Sequence, residues 1–364
     1  MARKIRIGVV GASVKGTWSA RAHLPALRSH PDFELTAVCT TRPETAEAAR
    51  VAFGARLAFD DYRKMATSPE IDAVAVVVRV PSHAEPVKAA LEAGKHVYCE
   101  WPLARNTAEA VELTALAKAK GVVTAVGLQA RLHPALLYMK ELLDGGHVGE
   151  IMSVHVSLIT DGIPSKPPGR MWQWDAGAGA NTLTIANGHT LDAMRFVAGA
   201  VASLSALLST QAKEWLDTSS GKTVAVNAPD NVLASGRLRN GAVFSLHVAA
   251  IPDFGSFYRF EVYGREGTLV ASGPESPQMS EIFLSGAKRG GALAPLPVPE
   301  RISGSDAGRP FSEAINVGRV YSLFAEAIRS GKSRQPTFET AIDLHRLLDV
   351  LRQSSESGRA LTAG

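Results

Sequence analysis

Short apolar runs alternate with helix-like segments over the first 128 residues of the chain. The apolar runs predict strands, and the segments between them, which carry alanine, glutamate and lysine at helical spacing, predict helices. Strands that alternate with helices build a parallel sheet covered on both faces, and right-handed crossovers make such a sheet doubly wound. The predicted strands are residues 5–10, 35–40, 73–78, 95–99 and 122–128, and two predicted helices are residues 43–53 and 84–93.

A different pattern follows a helix predicted at residues 134–143, which Gly145 and Gly146 would end. Longer segments of alternating polar and apolar residues then succeed one another, with one predicted helix at 188–197 among them. This pattern predicts a large, open and mostly antiparallel sheet with one face packed. Its predicted strands are 150–160, 203–210, 231–238, 242–250 and 257–263, followed by a surface loop at 286–308 and helices at 319–330 and 339–354.

These patterns predict an α/β chain of two domains. The first is a doubly wound Rossmann domain over residues 1–128, and the second is an α+β domain over residues 129–364. The last helices could pack back on the first domain. The open sheet of the second domain, with too few helices to cover both faces, predicts a homodimer formed through that sheet.

Composition excludes several classes of function. No stretch is apolar over the roughly 20 residues that a membrane span needs, and the first strand lacks the features of a signal peptide. Cys39 and Cys99 both lie in apolar runs, which indicates buried thiols in a cytoplasmic protein and no metal site. The 39 basic and 35 acidic residues give a net charge of +4. Because the basic residues are scattered, we expect no direct contact with nucleic acid.

A glycine-containing loop, Gly11-Ala12-Ser13-Val14-Lys15-Gly16, directly follows the first predicted strand. In the G-x-G-x-x-G fingerprint of dinucleotide-binding proteins, the first glycine allows a tight turn, the second admits the pyrophosphate and the third lets the helix approach the strand. Gly11 and Gly16 keep the first and third places, and the small Ser13 replaces the second. We therefore predict that Gly11, Ala12, Ser13 and Gly16 bind a dinucleotide.

The end of the second predicted strand indicates which dinucleotide binds. NAD-binding proteins usually place an acidic residue there, on the ribose of the adenosine. This chain instead has Thr40, Thr41 and Arg42, whose hydroxyls and guanidinium suit a 2′-phosphate. The sequence thus predicts NADP, with NAD still possible, unless Arg42 is merely a solvated turn residue.

Three further segments carry recognisable motifs. The first segment contains Ile71-Asp72-Ala73-Val74, Ser82-His83, Ala89-Ala90-Leu91-Glu92-Ala93-Gly94-Lys95-His96-Val97 and Glu100-Trp101-Pro102. The second segment contains Val126-Gly127-Leu128-Gln129-Ala130-Arg131 and Gly149-Glu150-Ile151. The third segment is Gly188-His189-Thr190-Leu191-Asp192. With these segments the chain resembles the glucose–fructose oxidoreductase/inositol dehydrogenase (Gfo/Idh/MocA) family over nearly its whole length. The resemblance implies a Rossmann fold and a cofactor cleft lined by the glycine loop and by Arg79, His83, Glu100, Trp101 and Gln129.

The chain departs from this family at the residues that carry the chemistry. Family dehydrogenases typically have Glu-Lys-Pro where this chain has Glu100-Trp101-Pro102, and an aspartate where it has Ile185. His189 is the one member of the Lys, Asp and His group that remains, which makes it the candidate base. Its position at the start of a predicted helix also fits a structural capping residue.

Candidate substrate contacts are His189 and four residues whose roles stay open. Trp101 could stack on a sugar ring or fill the space of the missing lysine. Trp172 and Trp174, in a loop over residues 161–175, could cover a pocket or pack on a core. Arg131 could reach the cleft or form an interdomain salt bridge. Asp192 and Arg195, three residues apart on one predicted helix, could pair with each other.

Two functions follow from this resemblance. The first is an NAD(P)-dependent oxidoreductase that acts by hydride transfer on a sugar, cyclitol or similar polyol. The second is a catalytically inert NADP-binding sensor or transcriptional co-regulator, because the substitutions resemble a branch of the family that includes the yeast galactose-regulon repressor. The retained His189 favours the enzyme, and the absent lysine and aspartate favour the regulator.

Overall fold

The computed structural model describes residues 3–304, 308 and 310–364. The chain forms two compact units. The first comprises Met1–Gln129 and Ser312–His345, and the second comprises Ala130–Phe311 and Arg346–Gly364. The sequence places a boundary between residues 128 and 129 and leaves open that the last helices pack back on the first domain; residues 312–345 belong to the first compact unit.

The strands and helices are numbered in chain order. The strands are β1 Ile5–Val10, β2 Phe33–Cys39, β3 Leu57–Phe59, β4 Ala73–Val76, β5 His96–Glu100, β6 Thr124–Gly127, β7 Ile151–Thr160, β8 Ser165–Lys166, β9 Val201–Ser209, β10 Glu214–Asp217, β11 Thr223–Ala225, β12 Asn231–Leu238, β13 Val243–Ala250, β14 Phe257–Gly264, β15 Gly267–Gly273, β16 Phe283–Lys288, β17 Ala294–Pro295 and β18 Leu361–Thr362. The helices are α1 Leu24–Ser29, α2 Pro43–Phe53, α3 Tyr62–Thr67, α4 Ala84–Glu92, α5 Thr107–Lys120, α6 Pro134–Asp144, α7 Asn187–Ala198, α8 Glu300–Ser303, α9 Glu313–Ser330 and α10 Phe338–Ser357.

The first unit is built on a six-stranded parallel sheet in the order β3-β2-β1-β4-β5-β6. Its central strands are apolar on both faces, and all four residues of β4 are buried, as expected for a sheet covered by helices on both sides. The chain order reverses between β1 and β4, so loops at the carboxyl ends of these two strands diverge and leave a crevice. The predicted Rossmann fold is confirmed.

The second unit is built on a nine-stranded sheet in the order β17-β16-β15-β14-β7-β13-β12-β9-β18. All its neighbouring strands are antiparallel except β7 and β13, so the predicted open, mostly antiparallel sheet is confirmed. One face packs against helices α6 and α7. Along β7 the residues alternate accordingly, with Val154, Val156 and Leu158 fully buried and His155 and Ser157 half-buried. A separate small sheet has the order β11-β10-β8.

The region predicted as a surface loop, residues 286–308, contains more structure than expected. It includes the end of β16, the two-residue strand β17 and the single-turn helix α8, while residues 305–307 lie outside the described part of the chain. Elements this short carry too little periodicity to be seen in the sequence. Within the described ranges, no helix combines the length and apolarity required to cross a membrane.

Candidate functional site

The turn after β1 is shaped by Gly11. Its φ is +89°, and a Cβ atom on it would lie 2.2 Å from the carbonyl oxygen of Val77, so only glycine fits. The N–H groups of Gly11 and Ala12 donate to the carbonyl of Cys39, at 2.9 and 3.3 Å. The Ser19 hydroxyl donates to the Gly11 carbonyl at 2.8 Å. The loop therefore leaves β1 in a fixed direction.

The rest of the loop offers unused hydrogen-bond donors. The Ser13 hydroxyl oxygen accepts a bond from the Lys15 N–H at 3.2 Å, which leaves its own proton free. The backbone N–H groups of Ser13 and Val14 have no acceptor in the part of the chain that the structure describes. Free N–H groups in a tight loop form a cradle for an anion such as a pyrophosphate. The Gly11 turn and these donors fit a bound dinucleotide.

Gly16 does not have the role that the fingerprint gives its third glycine. A Cβ atom on Gly16 would meet nothing within 4 Å, so no helix approaches closely there. Its φ of +51° is the feature that favours glycine. The helical turn of residues Ser19–His23, which runs on into α1, begins three positions later. The longer loop therefore places the helix start beyond the fingerprint.

A cleft of about 800 Å³ lies beside this loop in the first unit. It is lined by the glycine loop and by the predicted ribose-binding residues Thr40, Thr41 and Arg42. A second group of lining residues, Asp60, Asp61, Tyr62 and Arg63, was not predicted from the sequence. This group comes from the short β3–α3 segment, which periodicity does not reveal.

The ribose-binding turn differs in detail from the expectation. The Thr40 and Thr45 hydroxyls lie 2.6 Å apart, and both are placed to donate to the Arg42 carbonyl at 3.0 Å. Their two protons are consumed within the turn, so the Thr40 hydroxyl has none left for a phosphate. The Arg42 guanidinium is exposed and makes no hydrogen bond or ion pair with any described residue. Arg42 also precedes the free N-terminus of α2, which has no side-chain cap.

Arg63 presents a second guanidinium to the same cleft. It stacks on the ring of Tyr62, 4.5 Å from the centroid, and lies 3.9 Å from the exposed carboxylate of Glu85. Asp61 accepts the Arg63 backbone N–H at 2.8 Å and caps α3. Asp60 lies 3.7 Å from Lys64. The two carboxylates at this edge therefore already have donor or cationic partners.

Glu100, predicted to line the cofactor cleft, ends β5 in a buried network of the first unit. Its Oε1 lies 2.9 Å from the His23 Nε2 atom and accepts the Tyr98 hydroxyl at 3.0 Å. The His23 Nδ1 atom lies 2.8 Å from the Tyr321 hydroxyl. His23 thus bridges the Glu100 carboxylate and the Tyr321 hydroxyl. A Cβ on Gly127 would lie 2.3 Å from the Glu100 oxygen, so glycine leaves room for this carboxylate.

Three other predicted cofactor residues lie in this unit. His83 is fully buried, its ring nitrogens 2.9 and 3.1 Å from the carbonyls of Pro102 and Val78. Burial lowers the pKa of His83. Arg79 is exposed after β4. Gln129 is 1% exposed, and its side-chain oxygen has no donor among the described residues. Cofactor contacts at all three remain predictions.

Trp101 fills space inside the first unit. It is 4% exposed, and its ring lies 4.8 Å from that of His345 in α10. The sequence left two interpretations open, and this burial supports the one in which Trp101 fills the space of the missing lysine. A sugar could stack on the indole face only after the ring had moved.

His189 lies on α7 in the second unit and is 4% exposed. A helical turn, Thr182–Ala186, precedes α7 without a break, and Asn181 caps that turn. The Asn181 side chain accepts the Thr184 N–H at 3.2 Å, and the Thr184 hydroxyl accepts the Asn181 N–H at 2.9 Å. The interpretation of His189 as a capping residue is therefore wrong, because the helix starts earlier. Its role as a base stays a prediction.

Arg131 forms a salt bridge instead of a free contact for substrate. Its guanidinium binds both carboxylate oxygens of Asp192, with Nε 2.8 Å from Oδ2, and both residues are buried. It also lies 5.0 Å from the ring centroid of Phe196. Asp192 was expected to pair with Arg195, but its partner is Arg131, from 61 positions earlier. The pair fixes α7 one turn beyond His189.

The tryptophans of the loop over residues 161–175 lie at the surface of the second unit. The Trp172 indole donates to the Gly169 carbonyl at 2.9 Å. Trp174 is 37% exposed, and its backbone carbonyl accepts the N–H groups of Asn227 and Ala228. Trp174 is thus available for contact with a ligand, which remains a prediction.

The remaining reactive side chains offer no alternative centre. The described ranges contain no cluster of three or more histidine, cysteine or acidic side chains placed to hold a metal ion. Both cysteines are unpaired and buried. Burial raises the pKa of Cys39 to about 12 and that of Cys99 well above its usual range, which makes both thiols poor nucleophiles.

Comparison with known proteins adds independent information. The family model described as an oxidoreductase family with an NAD-binding Rossmann fold matches residues 5–128, and the GFO/IDH/MocA C-terminal domain matches residues 136–270. The dehydrogenase aclE of Aspergillus oryzae is 31% identical over 99% of this chain and 98% of its own length. The galactose/lactose regulatory protein GAL80 of Saccharomyces cerevisiae is 26% identical over 99% of this chain and 94% of its own length. The structure of levoglucosan dehydrogenase with NADH and L-sorbose has a TM-score of 0.87 at 24% identity, covering all of both chains.

Proposed function

Because the chain belongs to the Gfo/Idh/MocA oxidoreductase family, we propose that it is an NADP-dependent dehydrogenase that oxidises a CH–OH group of a sugar, cyclitol or similar polyol. The observation that carries this proposal is the dinucleotide corner of the first unit. Gly11 is obligatory there, and the loop donors of Ser13 and Val14 are still unused.

The choice of NADP rests on the adenosine end of the cleft. The unpaired guanidinium of Arg42 and the uncapped N-terminus of α2 both favour a 2′-phosphate. The guanidinium of Arg63 adds positive charge to the same cleft. The acidic side chains there, Asp60 and Asp61, are already engaged by Lys64 and by the α3 backbone. NAD would leave the Arg42 guanidinium without an anionic partner, whereas Arg63 already lies near Glu85.

The polyol substrate is supported by relatives and by the residues of the second unit. The solved levoglucosan dehydrogenase carries NADH and L-sorbose. The dinucleotide, when bound, supplies the hydride acceptor, so the chain must supply a base for the hydroxyl proton. His189 is the proposed base, since imidazole accepts protons near neutral pH and α7 is held rigidly by the Arg131–Asp192 pair.

The test is turnover with a substrate panel. Protein and NADP⁺ are incubated with neutral sugars, cyclitols, alditols, sugar acids and sugar phosphates, and absorbance of the reduced cofactor is followed. We expect turnover with at least one class, faster with NADP⁺ than with NAD⁺ at equal concentration. Reactions without substrate serve as controls.

A second candidate function is an NADP-binding regulator without turnover. The observation that favours it is Trp101, buried where family dehydrogenases carry their lysine, together with similarity to GAL80 over nearly the whole chain. Tight NADP binding with no reduction of cofactor across the whole panel would favour this regulator over the enzyme.

A homodimer through the open sheet is part of the proposal. Large apolar side chains are exposed on the strands of the second unit, and such faces commonly bury themselves against a second copy. Leu207, Leu233, Phe257, Tyr263 and Phe283 are between 38% and 61% exposed. Sedimentation at micromolar concentration should show a dimer, and Leu233→Asp should weaken it. Val51→Asp, at an exposed position of α2, is the control.

A further inference from the structure

The Lys166 ammonium group occupies an unusual place in the second unit. Lys166 belongs to β8, and its Nζ atom lies 5.0 Å from the ring centroid of Trp215 in the neighbouring strand β10. The group is half-buried, yet it makes no hydrogen bond or ion pair with any residue in the described ranges. An ammonium carries three donors, and removing them from water without acceptors is unfavourable.

The surroundings of this ammonium are poor in acceptors and rich in donors. Trp215 is 5% exposed, and its indole N–H also lacks an acceptor among the described residues. Trp215 packs in a small apolar cluster with Ile163, Val226, Ala228 and Ala250. Burial and, after it, the charge of Arg170 lower the pKa of Lys166 to about 8, against the opposing effect of Asp161. A negatively charged group would offset both the cost of burying the ammonium and its repulsion from Arg170.

Space for such a group exists beside the Nζ atom. Gly162 has a φ of +105°, and a Cβ atom added there would lie 3.8 Å from the Lys166 Nζ with no other heavy atom within 4 Å. Gly162 is exposed, so the ammonium is accessible from solvent on this side. It lies in the loop over residues 161–175, which also carries Trp172 and the half-exposed Trp174.

We propose that Lys166, assisted by Trp215 and Arg170, binds an anionic oxygen group, a carboxylate or a phosphate, of the polyol substrate. The anion supplies the acceptors that the ammonium lacks, and its charge offsets the repulsion between Lys166 and Arg170. This inference rests on the proposed function for its substrate class and narrows that class to sugar acids or sugar phosphates. Neutral sugars would leave the ammonium without a counter-charge.

Competitive labelling of the intact protein tests the site without any need for turnover. At pH 8 about half of Lys166 is neutral, so acetic anhydride should acetylate it much faster than the exposed Lys222. Inorganic phosphate, D-gluconate and D-glucose are added in separate reactions, and mass spectrometry of the peptides gives both rates. Gluconate reports carboxylate binding, phosphate reports phosphate binding, and glucose is the neutral control.

We expect one of the two anions to slow acetylation of Lys166 about tenfold at about ten times its Kd, while Lys222 is unaffected. Glucose should have no effect. By calorimetry, Lys166→Met should lose binding of the protecting anion, and Lys222→Met should keep it. Equal protection of both lysines, or no protection of Lys166 by either anion, overturns the inference.

The outcome is separable from that of the proposed function. Turnover of neutral polyols, with no protection of Lys166, leaves the dehydrogenase proposal standing and removes the anion site. Protection of Lys166 in a protein that reduces no cofactor leaves the anion site standing and removes the dehydrogenase.

Discussion

In the first unit the candidate cofactor contacts are mostly backbone groups of one short segment, whereas in the second unit the candidate chemistry depends on side chains far apart in the sequence. The Gly11 turn and its donors lie within a few residues of each other. Arg131 and Asp192 are 61 positions apart, and Lys166 meets Trp215 across two strands. The candidate cofactor site of the first unit thus depends on the backbone of one loop. The candidate site of the second unit depends on side chains that its tertiary structure brings together.

This difference predicts that the two units will tolerate substitutions differently. A backbone cradle keeps its donors whatever the side chains are, provided that the turn can form. The second unit has no such reserve, because its candidate chemistry depends on individual side chains, the buried Arg131–Asp192 pair on α7 and the proposed base His189. Substitutions in the first unit should change cofactor affinity, and those in the second should change rate or stability.

The largest effect is expected at His189. His189→Asn should lower kcat about 10²–10⁴-fold, as is usual for the loss of a general base, and leave the Kd for NADP unchanged. Steady-state kinetics and calorimetry measure the two quantities. His147→Asn, the same change in the turn after α6, is the control. A variant that keeps its rate would show that the second unit does not supply the base.

The buried pair that holds α7 should dominate the stability of the second unit. Asp192→Asn leaves the Arg131 guanidinium buried without a counter-charge, which should lower the free energy of unfolding by about 3–5 kcal/mol. Asp349→Asn removes a similar partner from the half-exposed Arg352 and should cost less than about 1 kcal/mol. Denaturant unfolding measures both. Equal losses would contradict the distinction between buried and surface pairs.

The sequence predicted the elements of the first unit well because the sequence patterns that indicate them are local. The strand β1 and helix α2 have the predicted bounds, and the glycine loop lies where the pattern placed it. Periodicity failed at β3 and α3, which are three and six residues long. Arg63 was missed with them, since nothing in its immediate neighbours shows that it faces the cofactor cleft.

In the second unit the sequence predicted elements but not partners. The strand β12 has the predicted bounds, while Asp192 was paired with Arg195 on the same helix rather than with Arg131. Neighbours on a helix can be read from spacing, but an ion pair between distant segments depends on the packing of the whole unit. The burial of Trp101 in the first unit was likewise undecided by sequence, because indole suits both a core and a binding surface.

The two glycines of the loop provide a direct test of the prediction that the loop binds the cofactor through its backbone. Gly11→Ala combines an unfavourable φ with a clash at the Val77 carbonyl and should destabilise the protein by about 3 kcal/mol, with loss of cofactor binding. Gly16→Ala meets open space and should cost about 1–2 kcal/mol from its φ alone. Unfolding and NADP titration measure these effects. Similar losses at both positions would mean that the close contact with the Val77 carbonyl is not the reason that position 11 requires glycine.

The smallest effects are expected at the adenosine end, where single side chains add to the backbone cradle. Arg42→Ala should weaken NADP binding by about 1–3 kcal/mol, the contribution of a charge-assisted hydrogen bond, and barely change NAD binding. Arg63→Ala should act in the same direction but less strongly, because its guanidinium already stacks on Tyr62 and lies near Glu85.

The control is Lys118→Ala, an exposed cation on α5 that does not line the cleft. It should leave both affinities unchanged, because at physiological salt a charge outside the cleft is largely screened from the phosphate. Equal weakening of NADP and NAD by Arg42→Ala would place that guanidinium on the pyrophosphate instead of the 2′-phosphate. Tighter binding of NAD by the unmodified protein would mean that the acidic residues Asp60 and Asp61 decide the cofactor. The cleft would then recognise a ribose hydroxyl, and side chains from β3–α3 would outweigh the turn after β2.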